Sequence, residues 1–125
     1  VFSEFKNEIE LLLGVKVYPL IGPQSESEFI TMQLISDPSV ETGLVRTGPI
    51  AARFQISFIS SSYRRTEEME VSLWSAWRNV IHGHIGGYPV QYVEKLGISE
   101  SFDPDDGGKY RRARDFIFYC PESAS

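Results

Sequence analysis

Cys120 is the only cysteine in this 125-residue chain, so no internal disulfide can staple it. Assembly in a reducing cytosol is therefore the expectation. Nowhere does an apolar run approach the ~20 residues that a membrane-spanning helix needs. The opening stretch VFSEFKNEIELLLG lacks the basic n-region of a secretory signal, and a soluble intracellular product is expected. Basic residues are outnumbered, 12 Lys and Arg against 17 Asp and Glu, which leaves a formal net charge of −5. That balance argues against a protein that coats DNA. It stays compatible with an acidic wall along which phosphates slide without being gripped. Also missing are a Gly-rich phosphate loop, a Gly-x-Ser-x-Gly turn and a His-Glu-x-x-His helix. Nothing in the chain recommends an enzyme.

What is present suits one domain, residues 1–125, with no repeat and no linker. The apolar share of 42% is enough for a core, and the charged share of 23% is too low for a disordered chain. Ser3 can cap a first helix, with Glu4 in its first turn, Phe5, Ile9, Leu12 and Leu13 on one face, and Gly14 as its stop. A short strand follows around Val15 to Tyr18. FITMQLIS then alternates, with Ile30, Met32 and Leu34 against Thr31 and Gln33. Residues 36–49 hold two prolines and two glycines and read as a long loop, of the kind that is usually functional or disordered. AARFQISFIS is the clearest strand, with Ala52, Phe54, Ile56 and Phe58 on one face.

A second helix is predicted from a Thr66 cap to a Gly83 stop. Glu67, Glu68 and Glu70 would complement its dipole. Its apolar stripe comprises Met69, Leu73, Ala76, Trp77 and Val80, widened by Trp74 and Ile81. YPVQYVEKLGI and YRRARDFIFYC read as two closing strands. The pattern predicts an α+β fold: a mostly antiparallel twisted sheet of four to five strands with two helices packed on one face.

Three clusters invite a chemical reading. His82 and His84 look like a metal pair, but no third or fourth ligand stands nearby, and a histidine at a helix end has a plain dipole role. Asp103, Asp105 and Asp106 suggest a calcium loop, yet the fifth position is Gly107 and the twelfth Arg114, so the ligand pattern fails. Asp-Pro and Asp-Asp-Gly-Gly are good turn formers. Neither a metal nor another cofactor is therefore expected. In the basic cluster, Arg112 and Arg114 project to one strand face and Arg111 to the other. With Lys109 beside them and the aspartates across the turn, a cross-strand ion-pair ladder fits better than a nucleic-acid patch. It would lie within one subunit or between subunits, and Tyr63, Arg64 and Arg65 would be able to join it. The rival reading is a small-molecule-binding or enzymatic pocket between sheet and helices, with His82 and His84 at its mouth and Trp74 and Trp77 against the ligand.

Across roughly its full length the chain resembles the tail-completion proteins of long-tailed bacteriophages and prophages (tail terminators, or head–tail joining proteins). The resemblance rests on a helix running into GVKVYPL, on ARFQISFIS leading into a tryptophan-bearing helix, and on the closing DPDDGGKYRRARDFIFYC. It implies a non-enzymatic virion protein at the head-proximal end of the tail, assembled in the host cytoplasm. Such a protein forms a six-fold ring that stops growth of the tail tube and docks the head connector. DNA passes through its centre without sequence-specific binding. Head-to-tail rings need two different patches on each subunit. The expected ones are the hairpin with Asp103, Asp105, Asp106, Lys109, Arg111, Arg112 and Arg114, and the 36–49 loop with Glu41 and Arg46.

Overall fold

The computed structural model describes residues 2–23, 25–37, 49–104 and 108–121. In chain order its elements are α1 (Phe2–Leu13), β1 (Val17–Pro19), β2 (Glu28–Ser36), β3 (Pro49–Ser60) and α2 (Tyr63–Trp77). They are followed by β4 (Gly83–Ile85), β5 (Tyr88–Val90), β6 (Tyr92–Asp103) and β7 (Lys109–Pro121). Five strands form one twisted sheet in the order β1-β2-β3-β7-β6, and β4 and β5 form a separate small hairpin. β1 runs parallel to β2; every other neighbouring pair is antiparallel. The α+β architecture expected from sequence is the one observed.

Both helices lie on one face of the sheet, because the period-2 alternation of β3 and β7 concentrates large apolar groups there. Ala52, Phe54, Ile56 and Phe58 of β3, with Phe116, Phe118 and Cys120 of β7, are all fully buried. From α1, Phe5 and Ile9 reach this layer, the Phe5 ring lying 4.4 Å from that of Phe118. From α2, Met69, Leu73 and Trp77 do the same, Trp77 meeting Phe118 edge-on at 5.1 Å. Leu12, Ala76 and Ile81, assigned above to apolar faces, are exposed. Burial pushes the Cys120 thiol up to about 11. It should resist alkylation at neutral pH on the native chain and react once urea unfolds it, a difference that thiol titration reads directly.

Three element boundaries differ from the sequence reading. α1 begins at Phe2, which places Ser3 inside the helix, while Gly14 ends it in the expected left-handed conformation (φ 67°). α2 begins three residues before Thr66 and stops at Trp77, six before Gly83. Thr66 is buried, and its hydroxyl donates to the Tyr63 carbonyl at 2.6 Å; the N-cap is Ser62, whose side chain makes no capping bond. The apolar run 88–98 is two strands, because after Gln91 the chain leaves the small hairpin and enters the main sheet.

The β4–β5 turn is Gly86-Gly87, with both φ values positive (59° and 82°), as a two-residue hairpin demands. A Cβ on Gly86 would come within 2.1 Å of the Glu4 carbonyl oxygen, so this turn is seated against the backbone of α1. Gly86→Ala is expected to cost about 2–4 kcal/mol, from the left-handed backbone plus the forced displacement. Gly87→Ala, which meets nothing within 4 Å, should cost only the backbone part; paired thermal melts measure the difference.

Candidate interaction surface

The hairpin singled out by the sequence is β6 and β7, paired from Tyr92↔Tyr119 to Asp103↔Lys109. Asp105 and Asp106, at its tip, lie outside the described residues, as do Glu41 and Arg46. Alternation sends the basic residues of β7 to opposite faces, as expected. On the helix-free face, Arg111 is exposed and donates to Ser57 Oγ at 3.1 Å. Lys109 is buried on that face, its ammonium 5.5 Å from the centre of the Phe29 ring. A shallow cleft of about 190 Å³ there is lined by Phe29, Ile59, Ser101, Asp103, Lys109 and Arg111. Further along the same face, Arg53 is paired with Asp115 at 2.6 Å.

On the helix-covered face Arg112 and Arg114 turn under α2. Glu70 of α2 accepts from Arg112 Nε at 3.1 Å and from Arg114 Nε. Arg112 also reaches Glu100 of β6 at 2.9 Å, and Arg114 donates to the Leu96 carbonyl at 2.8 Å. The side chains are 4% (Glu70) and 14% (each arginine) exposed. This is a salt-bridge network that fastens helix to sheet and spans β7 and β6. Glu70 is thus a buried counter-ion rather than the helix-dipole partner expected from sequence. Half of the signal was in the sequence, since Thr66, Met69, Glu70, Leu73 and Trp77 share one helical face and two arginines share one strand face; that the two faces meet was not.

Burial works to raise the Glu70 pKa, but Arg114 and Arg112 outweigh it, so the carboxyl is held below the ordinary glutamate range. A depressed folded-state pKa stabilises the fold above the unfolded value, and that contribution is lost as pH falls through the folded one. The Glu10 carboxyl is lowered as well, chiefly by the hydrogen bond it accepts from the Val17 N–H. The urea midpoint is therefore expected to fall as the pH drops below about 4.3. Glu70→Gln should flatten part of that dependence.

His82 and His84 are exposed, on either side of Gly83 at the start of the β4–β5 hairpin. His82 adopts φ 49° and its backbone N–H bonds the Gln91 carbonyl, a turn role. Among the described residues no group of three or more His, Cys, Asp or Glu is placed to hold a metal ion. Trp77, assigned to a ligand in the rival reading, is buried against Phe116 and Phe118. Trp74 lies 6.0 Å from Phe116 and carries the Lys95 ammonium over its ring. No helix among the described residues is long and apolar enough to cross a membrane.

No protein-family profile matches the chain, and no curated protein matches it in sequence. Solved structures do share its shape. One is a chain from the virion of a native gene transfer agent particle, at 10% identity and a TM-score of 0.59, with 94% of this chain and 90% of that one aligned. A second solved chain aligns at 12% identity and a TM-score of 0.51, over 96% of this chain and 92% of its own. At such identities the likeness is one of fold, and it spans nearly the whole chain.

Proposed function

We propose that this chain is a structural protein of a phage-like virion that forms a ring at the head-proximal end of the tail tube. The ring would end tube growth and join tail to head. The observation that carries this reading is the near full-length fold shared with a chain of a gene transfer agent virion. The tail-completion resemblance of the closing hairpin, drawn from sequence alone, supports it independently. In this reading the contacts to neighbouring copies, tube and connector come from the hairpin tip, with Asp103, Asp105, Asp106 and Arg111, backed by the buried Lys109, and from the 36–49 loop with Glu41 and Arg46. Arg112 and Arg114 hold the hairpin to α2 and so set the angle at which its tip is presented. A net charge of −5 suits a wall past which DNA moves without being held.

The test is to express the virion genes that accompany this chain with and without it, and to image the particles. Its omission should give over-long tubes and heads without tails, and complementation should restore both. Tubes of normal length joined to heads in its absence would overturn the proposal.

A further inference from the structure

The two edges of the main sheet are treated differently. At one edge β1 is only three residues long, the N–H of Val17 is taken by the Glu10 carboxylate at 3.0 Å, and Pro19 has no N–H to offer. Such devices keep other strands off. At the other edge β6 is 12 residues long, and a register shift between Lys95 and Ile98 divides it. At that bulge Arg114 caps the Leu96 carbonyl from within. Beyond it, all six residues Ile98–Asp103 are exposed on both faces, including Ile98 (41%) and Phe102 (50%). No other strand among the described residues pairs with the outer edge of this segment.

We infer that Ile98–Asp103 is a strand-addition site whose partner is the same segment of a second copy, giving a two-fold dimer with one continuous sheet. The side-chain pattern reads the same in reverse. An antiparallel ladder centred on Glu100 sets Ile98 opposite the partner's Phe102 twice, on the helix face, and Ser99 opposite the partner's Ser101 twice, on the other face. Two Glu100 side chains then face each other, a repulsion blunted because each is already paired with its own Arg112. The helices do not obstruct this contact. α2 packs over β3 and β7, and β7 is separated from its copy by three ladder spacings, about 14 Å, against the 8–10 Å of packed helices. The inference stands without the virion reading. If both hold, the dimer keeps the open edge covered until assembly replaces it.

The experiment is sedimentation of the full chain over a concentration series, with three variants. The parent should be a dimer. Phe102→Glu, at a half-exposed position beside Tyr110, should raise the dissociation constant at least about 30-fold while the chain stays folded by far-UV circular dichroism. Glu100→Gln should lower it. Glu100→Cys should oxidise to a cross-linked dimer much faster than Ser72→Cys on the exposed side of α2, the buried Cys120 staying silent. A monomer at every concentration would overturn the inference. So would cross-linking of Glu100→Cys no faster than Ser72→Cys, or a larger oligomer indifferent to Phe102→Glu; that last result would leave the virion reading standing.

Discussion

Glu70→Ala is expected to lower the free energy of unfolding by about 3 kcal/mol, because it strands two guanidinium groups that the fold has largely removed from water. Arg112 keeps a partner in Glu100, and among the described residues Arg114 keeps only the Leu96 carbonyl. In the Glu70→Ala background Arg114→Ala should therefore cost little more, whereas the two single changes should each cost more than their combination implies. Replacing Glu70, Arg112 and Arg114 together by apolar residues of similar volume is expected to come close to the parent in stability, since desolvation offsets most of what a buried ion pair contributes. Urea denaturation of these four variants gives the coupling energy directly.

Phe118→Ala should cost more, about 3–5 kcal/mol, and should loosen both helices at once. Its ring is fully buried and lies 4.4 Å from Phe5, 5.7 Å from Phe54 and 5.1 Å from Trp77. It is therefore the side chain through which α1, α2 and the two central strands meet. Ile117→Ala, one residue earlier and on the helix-free face, should cost much less although both side chains are large and apolar. Amide hydrogen exchange on Phe118→Ala should show faster exchange in α1 and α2 together, while the outer half of β6 changes little.

The strands whose two faces differ were the most legible in the sequence. β3 alternates because one of its faces meets the helices and the other carries Arg53 and Gln55, and the same logic placed Arg112 and Arg114 on one side of β7. Legibility failed where tertiary partners decide. Glu70 looks like an ordinary acidic residue near a helix start; only the arrival of two arginines, 42 and 44 residues later, makes it a buried counter-ion. Thr66 has the chemistry of a cap, but its position on the buried face of α2 fixes it as an interior residue. YPVQYVEKLGI gave no local sign that it divides at Gln91 between two sheets. β2 was read as half-buried throughout, whereas Phe29–Met32 are buried on both faces and Gln33–Ser36 are exposed, a gradient set by where the sheet ends. Edge position is likewise a property of strand order, so the open side of β6 emerged only from the fold.

These features bear on the proposed assembly role through the hairpin. A network anchored at Glu70 fixes β6 and β7 against α2, which leaves the helix-free face of the hairpin open to a partner. Variants that break the network should impair assembly in proportion to their loss of stability. Changes at Arg111, an exposed side chain that donates to the buried Ser57 hydroxyl, should act on assembly far more than on the melt. That separation tells a contact residue from a supporting one.

The most direct measurement is to tag this chain with an electron-dense label, add it to tail tubes assembled without it, and image them. Label is expected at one end of each tube, the end that then accepts heads, in a closed ring with a constant number of copies. Label along the tube, at the opposite end, or absent from tubes that nevertheless stop growing would contradict the proposal.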